Sequence, residues 1–312
     1  MKPRILVIRG GAIGDFILTL PAIRLLREAF PEAHLEIIGY RHIIALAEGR
    51  VYADATRSIE YGAMAGFFAR GGTLAEEMLA YFASFQQIVS YLFDPDGIFE
   101  ANVRRSGVKN FLNAFVRIDD SLHAAQQLAS PLQGLALYLD DPAATVHPNA
   151  DDRAFASHFL GDAGHPFIAI HPGSGSPRKN WSAAAWAELG ARLLAAPGRR
   201  IVLVGGEADR AILQTLRVAW GERALVAQDL TLPHLAAVLE KCAIFLGHDS
   251  GISHLAAAAG ARCVLLFGPT DPAVWAPANP QVSVLRPPEG DLAKLGVDEV
   301  ERALREKISG PG

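Results

Sequence analysis

The sequence has little of what marks a nucleic-acid-binding, membrane-spanning or exported protein. Its 29 lysines and arginines are outnumbered by 33 acidic residues, giving a net charge of −4, whereas a nucleic-acid-binding protein would show a basic patch. No run of 18 apolar residues occurs, so no membrane-spanning helix is predicted. The chain enters a predicted strand directly at Arg4, which predicts no signal peptide. We therefore expect a cytoplasmic protein that does not bind nucleic acid.

Cysteine is almost absent, and the nucleotide-binding glycine motifs are missing. Cys242 and Cys263 lie at the edges of apolar runs without metal-ligand spacing, which predicts buried, reduced thiols. Gly10, Gly11 and Gly14 follow a first strand, but they fit neither the dinucleotide pattern nor a P-loop. This disfavours a nicotinamide or flavin site, and the sequence predicts no metal and no cofactor.

Predicted strands and helices alternate in both halves of the chain. Half of the residues are hydrophobic, enough for two cores in a chain too long for one. Residues 140–153 become acidic and rich in proline and alanine, which predicts two domains, 1–150 and 151–312. The alternation predicts an α/β fold with a parallel, doubly wound sheet in each domain. Strands are predicted at 4–8, 35–39, 167–170, 201–204, 242–246 and 263–269, and helices at 15–30, 182–194, 208–220, 255–259 and 297–305. Ser182 is the predicted cap of the helix that runs to Leu194.

The region 61–115 is dense in aromatic residues. The spacing of Met78, Phe82, Phe85, Val89 and Leu92 predicts one helix over 74–92. An aromatic stripe at helical spacing is more often core than binding surface, and both interpretations stay open here.

Polar, glycine-rich loops follow two strands of the second half. Parallel sheets bind ligands at the carboxyl ends of their strands, so Ser174, Ser176 and Lys179 in the loop 171–180 are candidates for phosphate binding. Glu207 ends the next strand and is a candidate for bonding ribose hydroxyls. The alternatives are a surface lysine and a plain exposed carboxylate.

The segment 247–254 predicts an anion site at a helix start. Asp249 and Ser250 are both suited to cap a helix whose first N–H groups, from Gly251 onward, have no internal partners. His254 lies one turn after Ser250, on the same helix face. The alternative is a cap with no further role.

Asp15, just after the glycine loop of the first strand, is a candidate catalytic carboxylate. In the first turn of a helix it is ordinarily a partner of the helix dipole. The same position also places a carboxylate where it would face a cleft between the two domains. The sequence alone leaves both interpretations open.

These motifs together resemble one family, the ADP-heptose:lipopolysaccharide heptosyltransferases of glycosyltransferase family 9. The resemblance covers the first ~40 residues and most of 165–290, in the order expected for strand–helix units, and it is poor over 55–150. The matching segments are 4–26, His171-Pro172-Gly173-Ser174 with Lys179-Asn180-Trp181, Val204-Gly205-Gly206-Glu207, Asp249-Ser250-Gly251-x-x-His254, and Gly268-Pro269-Thr270-Asp271-Pro272.

The resemblance implies a GT-B architecture, in which two Rossmann-like domains face a central cleft. It assigns the acceptor to the domain 1–150 and the nucleotide-sugar donor to 151–312. It further implies an inverting, metal-independent transfer of heptose from ADP-heptose to a lipopolysaccharide inner-core acceptor, with Asp15 as general base. Lys179, Ser174 and Ser176 would lie near the phosphates, and Glu207 near the ribose. The diphosphate and sugar would be surrounded by Asp249, Ser250, Gly251 and His254.

Other functions stay open on the sequence. The divergent region 55–135 allows another nucleotide sugar and another glycan acceptor. A catalytically silent nucleotide-sugar-binding protein would keep the same loops, and an epimerase would need acid–base pairs that the sequence does not show. The expected partners are a nucleotide sugar and a lipid-linked saccharide at the inner face of the inner membrane, where membrane contact would be peripheral.

Overall fold

The computed structural model describes residues 2–161 and 167–309, and the chain divides into two compact units. Unit 1 comprises Met1–Pro142 and unit 2 comprises Ala143–Gly312. The predicted boundary lies slightly later, at 150. The difference arises because the intervening segment bonds to unit 2: Val146 N donates to the Ala258 carbonyl at 2.9 Å, and the Asn279 amide donates to the Ala144 carbonyl at 2.9 Å.

Unit 1 contains a five-stranded parallel sheet in the order β3-β2-β1-β4-β5. Its central strand, β1, is apolar and β-branched, and it is buried because helices cover such sheets on both faces. The strands are β1 Arg4–Ile8, β2 His34–Gly39, β3 Ala55–Ser58, β4 Gln87–Ser90 and β5 Phe111–Asn113, and the helices are α1 Ile13–Ala29, α2 Arg41–Ile44, α3 Glu76–Ala83, α4 Ile98–Arg104 and α5 Ala124–Ala129, with 3-10 helices Gly62–Phe68 and Ser130–Leu135.

The single helix predicted over 74–92 is wrong: the segment forms α3 and then the strand β4. After α3 the Ser84 hydroxyl donates to the Tyr81 carbonyl at 2.6 Å, and β4 then pairs with both β1 and β5. The helical spacing arises because both elements face one core, in which Phe82 and Ile88 share a cluster. Pairing with distant strands, which local spacing does not reveal, decided the second half of the segment.

Unit 2 contains a six-stranded parallel sheet in the order β11-β10-β9-β6-β7-β8. Ser182 caps its helix as predicted, accepting from Ala185 N at 3.1 Å. The strands are β6 Phe167–His171, β7 Arg200–Gly205, β8 Ala224–Gln228, β9 Ile244–His248, β10 Cys263–Leu266 and β11 Val282–Leu285, and the helices are α6 Ala150–Leu160, α7 Ala183–Leu194, α8 Arg210–Trp220, α9 Leu232–Glu240, α10 Gly251–Ala258, α11 Pro272–Trp275 and α12 Val297–Ser309. The 3-10 helices of unit 2 are Pro177–Lys179, Glu207–Asp209, Gly221–Arg223, Pro288–Gly290 and Leu292–Lys294.

The two cysteines are buried free thiols, as predicted. Burial raises the pKa of both Cys242 and Cys263 to about 12, because a thiolate is poorly solvated in an apolar surrounding. Within the described ranges, every helix is too short or too polar to cross a membrane.

In each unit the strand order reverses once, and this reversal locates the candidate sites. The chain builds outward from β1 to β3 and then returns to place β4 on the other side of β1. Unit 2 repeats the pattern, with β6 to β8 on one side and β9 to β11 on the other. Loops leaving the adjacent central strands diverge at such a point and open a crevice at the carboxyl ends of the strands.

Candidate functional site

The unit 2 crevice lies where the loop 172–182 leaves β6 and Asp249–Ser250 leave β9. These are the two segments in which the sequence placed its phosphate-binding candidates. Because β6 and β9 are hydrogen-bonded neighbours, the topology brings Lys179 and Asp249 together although they are far apart in sequence.

The loop after β6 is held in shape by its own side chains. The Ser174 Oγ lies 2.8 Å from the Ser176 carbonyl oxygen and 2.6 Å from the Asn180 side-chain oxygen, which share its single proton, and it accepts from Ser176 N at 3.3 Å. Gly175 has a φ of +76°, which a residue with a Cβ rarely adopts. Ser174 therefore shapes the loop from which Lys179 projects.

Lys179 and Asp249 form a part-buried ion pair. The Lys179 Nζ lies 2.6 Å from Asp249 Oδ2, and the Thr270 hydroxyl donates to the same oxygen at 2.7 Å. An ammonium group carries three N–H donors, and this pair takes one of them. The carboxylate thus positions the Lys179 ammonium beside Ser250, the residue that follows Asp249, and Thr270 is a partner that sequence analysis missed.

Ser250, rather than Asp249, caps α10. Its Oγ accepts from Ser253 N at 3.3 Å, leaving the N–H of Gly251 among the helix-start donors that have no partner within the helix. His254 is buried in α10. The Ser250 cap and the Lys179–Asp249 ion pair are separate contacts. Together they place the N-terminus of α10 beside the Lys179 ammonium.

A chain of side chains links the loops after β6, β7 and β9. The His171 Nδ1 lies 3.3 Å from Ser250 Oγ, and its Nε2 lies 3.4 Å from Asp209 Oδ2. Gly206 N donates to Asp209 at 3.0 Å. Burial raises the pKa of the Asp209 carboxyl, but the hydrogen bonds from His171 and Gly206 outweigh it, and the pKa falls below its usual value.

Asp209, not Glu207, is the carboxylate held within this crevice. The Glu207 side chain is 84% exposed and lies 4.0 Å from the Arg210 guanidinium. Sequence analysis missed Asp209, although a carboxylate three residues after Gly206 is a recognisable helix-start signal. The predicted contact of Glu207 with a ribose stays a prediction.

His248, at the end of β9, lies beneath the loop that carries Lys179. Its Nε2 accepts from Trp181 N at 2.8 Å, and its Nδ1 lies 3.3 Å from the Gly173 carbonyl. Burial lowers the pKa of His248 to about 4, so the ring is neutral near pH 7. A neutral ring that donates from Nδ1 and accepts at Nε2 satisfies both bonds.

The unit 1 crevice lies at the carboxyl ends of β1 and β4 and contains Asp15. Asp15 Oδ2 accepts from Ala12 N at 2.8 Å, and its Oδ1 lies 3.5 Å from the Arg9 guanidinium. The side chain is nevertheless 44% exposed. Asp15 therefore caps α1 and still presents a carboxylate to the crevice, so its two predicted roles do not exclude each other.

The glycine loop makes room for this carboxylate. Gly11 has a φ of +94°, and a Cβ there would lie 2.7 Å from Asp15 Oδ2. A Cβ on Gly10 would lie 3.2 Å from the Leu92 side chain. Gly14 lies inside the first turn of α1 rather than in the loop.

Aromatic side chains form the walls of the unit 1 crevice, which has a volume of about 550 Å³. Phe67, Phe82 and Phe99 are core residues, while Tyr40, Phe68, Phe93 and Phe115 line the crevice. The aromatic-rich region thus supplies both a core and a surface.

As for metals, no cluster of three or more His, Cys, Asp or Glu suited to an ion occurs in the described ranges.

Comparison with known proteins places the chain among glycosyltransferases. A family model described as glycosyltransferase family 9 (heptosyltransferase) matches residues 108–303, well over half of the chain. Lipopolysaccharide heptosyltransferase 1 of Escherichia coli O18:K1:H7 is 32% identical over 162 residues, which cover 50% of this chain and 48% of that protein. The chain thus spans about half the length of the curated relatives it matches in this way.

Two solved structures match the fold over nearly its whole length. E. coli ADP-heptose lps heptosyltransferase II has a TM-score of 0.79 at 18% identity, covering 99% of this chain and 98% of that one. E. coli heptosyltransferase WaaC with ADP has a TM-score of 0.73 at 19% identity, covering 97% and 99%. These similarities confirm the predicted α/β fold with the two parallel sheets of the GT-B class.

Proposed function

The chain belongs to glycosyltransferase family 9 (heptosyltransferase), and from this premise we propose that it transfers heptose from ADP-heptose to an inner-core sugar of lipopolysaccharide. The names of its relatives support this choice of substrates, since they are described as lipopolysaccharide and ADP-heptose heptosyltransferases. One structural relative was solved with ADP.

The observation that carries the proposal is the pairing of a cation with a helix N-terminus in the unit 2 crevice. The Lys179 ammonium lies 2.6 Å from Asp249, which immediately precedes the Ser250 cap of α10. A cation and unpartnered backbone N–H groups together suit a diphosphate. In the proposal they hold the diphosphate of ADP.

The other predicted residues have supporting roles around the donor. Ser174 and Ser176 shape the phosphate-binding loop, and His254 supports α10 from its buried face. Glu207, the first residue of the 3-10 helix after β7, contacts the ribose. Unit 2 is thereby the donor-binding unit and unit 1 the acceptor-binding unit.

The proposed reaction exchanges one C–O bond for another and transfers one proton. The acceptor hydroxyl oxygen attacks the anomeric carbon of heptose, and the bond between that carbon and the ADP oxygen breaks, with the electron pair leaving on ADP. The hydroxyl proton passes to the Asp15 carboxylate, which acts as general base. Attack from the face opposite ADP inverts the anomeric configuration.

Metal independence belongs to the proposal and is supported by the charge that unit 2 itself supplies. Negative charge develops on the diphosphate as ADP leaves. The Lys179 ammonium and the N–H groups at the start of α10 are fixed before the reaction, so they stabilise this charge without reorganising.

The acceptor and the cellular site follow from the same proposal. A lipopolysaccharide precursor is attached to lipid, so the enzyme would act from the cytoplasm at the inner face of the inner membrane. Any membrane contact would then be peripheral.

A thermal-shift titration against ADP, UDP, GDP, CDP and NAD tests the proposal at its donor site. A ligand that binds only the folded state stabilises it by about 2.7 kcal/mol at 100 times its Kd. We expect a shift with ADP alone, followed by transfer when ADP-heptose and a truncated core acceptor are supplied. A preference for UDP or GDP would exclude heptose as the sugar, and ADP binding without transfer to any acceptor would indicate a binding protein.

A further inference from the structure

The unit 1 crevice combines a carboxylate with a wall of accessible aromatic rings. The exposed fractions are 64% for Phe93, 46% for Phe68 and 39% for Phe115, although all three line the crevice. Exposed aromatic rings that cluster around one concave site are typical of a ligand-binding surface.

These rings are held in place by their neighbours. The ring centroids of Phe93 and Phe115 lie 5.0 Å apart, and Phe68 stacks on the buried Phe99 at 4.9 Å. Because rotation of the rings is restricted, less conformational entropy is lost when a ligand packs on them. The apolar C–H face of a sugar ring is a ligand that such a surface suits.

The charge of the crevice is the second observation. Among the residues that line it, the acidic groups are Asp15 and Glu60, and the single cation is Arg9. The Arg9 guanidinium is directed into unit 1: its Nε donates to the Thr19 hydroxyl at 2.9 Å, and its Nη2 donates to the Asp15 carbonyl at 3.2 Å. Arg9 Nη2 also lies 3.5 Å from Asp15 Oδ1, so Arg9 offsets Asp15, and the charge left among the lining residues is the negative charge of Glu60. A phosphate or carboxylate on the acceptor sugar would therefore be repelled.

We propose that the unit 1 crevice selects an acceptor whose reacting sugar is uncharged, held by packing its apolar face on Phe93 and Phe115. The inference rests on the proposed function and narrows its acceptor. Sugar acids and phosphorylated sugars are disfavoured at the reacting position. A preceding glycosyl transfer must then have ended the acceptor in a neutral sugar.

Binding of two matched acceptors tests this inference independently of turnover. Octyl heptopyranoside and its ring phosphate monoester are titrated calorimetrically into the full chain in the presence of ADP. We expect the uncharged glycoside to bind at least about tenfold more tightly. Tighter binding of the phosphate ester, or binding of neither glycoside, would overturn the inference.

Variants assign the preference to the named residues. Phe93→Ala and Phe115→Ala should each weaken octyl heptopyranoside binding about tenfold with unchanged ADP affinity. Phe93→Tyr, which keeps an aromatic ring, should bind this glycoside as the wild type does. Tyr138→Ala is the matched control, because Tyr138 is 63% exposed and does not line the crevice. Equal losses in Phe93→Ala and Tyr138→Ala would contradict the stacking role.

Glu60→Lys tests the electrostatic part. It should reduce the discrimination between the two glycosides about tenfold, chiefly by improving binding of the phosphate ester. Unchanged discrimination would show that the acidic rim does not select the acceptor.

The donor site is tested separately. Absence of an ADP shift in the wild type refutes the proposed function, whereas a preference for the phosphate ester with ADP bound refutes this inference alone.

Discussion

The unit 1 and unit 2 crevices have the same topology and opposite chemistry. Each lies where a parallel sheet reverses its strand order, beside a central strand followed by a glycine-containing loop. In unit 2 the polar side chains bond to one another, as Lys179, Asp249 and Thr270 do. In unit 1 two carboxylates, Asp15 and Glu60, stand among aromatic rings.

The difference teaches that the fold sets where a ligand binds and the residues after the strands set what binds. A network of fixed donors suits a group whose charge changes during reaction, because the donors do not reorganise. An aromatic wall suits an uncharged ligand, which it orients by packing and not by electrostatic attraction. The following predictions test this division of labour, from the largest expected effect to the smallest.

Asp15→Asn should abolish most turnover and leave the donor site intact. The amide still accepts from Ala12 N, so the cap of α1 is kept, but it takes no proton. The rate should fall by ~10²–10⁴, with ADP affinity unchanged, measured by ADP release and by calorimetry. Glu76→Gln, which removes a first-turn carboxylate from α3, is the control. A comparable loss in Glu76→Gln, or full activity in Asp15→Asn, would remove Asp15 from the mechanism.

His248 should make the stability of the folded chain depend on pH. Its folded pKa of about 4 lies below the ordinary 6.5, so the unfolded state binds the proton more readily. The free energy of unfolding should therefore fall as the pH drops from about 6.5 towards 4, by about 3 kcal/mol for this group. Urea unfolding across this range should show a shallower dependence in His248→Gln, while His42→Gln, at an exposed position, should match the wild type. Parallel curves for His248→Gln and wild type would contradict the assignment.

Lys179→Ala should weaken ADP binding about 10–100-fold and reduce turnover with it. The loss also leaves Asp249 with the Thr270 hydroxyl as its remaining described partner, so stability should fall by about 1–3 kcal/mol. Arg178→Ala, an exposed cation one residue earlier, is the matched control. If calorimetry gives the same ADP affinity for Lys179→Ala and Arg178→Ala, the diphosphate does not lie where we propose.

Glu207→Ala should have the smallest effect on the donor site. Its side chain is largely exposed, so one hydrogen bond to a ribose would change ADP affinity by about 1 kcal/mol, roughly fivefold. Asp209→Asn should disturb ADP binding more, because Asp209 links His171 to the loop after β7. Glu222→Ala, on an exposed turn of the same unit, is the control for charge. A larger loss in Glu207→Ala than in Asp209→Asn would reverse the ranking of these two carboxylates.

The sequence predicted much of this arrangement because its signals are local. Ser182 and Ser250 lie at helix starts where their hydroxyls accept from backbone N–H groups, and the structure confirms both caps. The sequence also placed Lys179 and Asp249 in loops that follow strands, and the structure showed that those strands, β6 and β9, are neighbours. It missed His171, Asp209 and Thr270 as partners, because their contacts join loops that are distant along the chain.

The sequence by itself determined the alternation of strands and helices, the two sheets, and the polar loops in which a ligand would bind, since each depends on the periodicity and caps of a short segment. The tertiary structure alone decided that the predicted helix ends at Ala83 and that the chain then forms the strand β4. It further decided that some aromatic residues of 61–115 are core while Phe68, Phe93 and Phe115 line a crevice. It also decided that Asp249 holds Lys179 while Ser250 caps α10. Those outcomes depend on which distant segments a residue contacts, and the spacing of residues along the chain does not specify these long-range contacts.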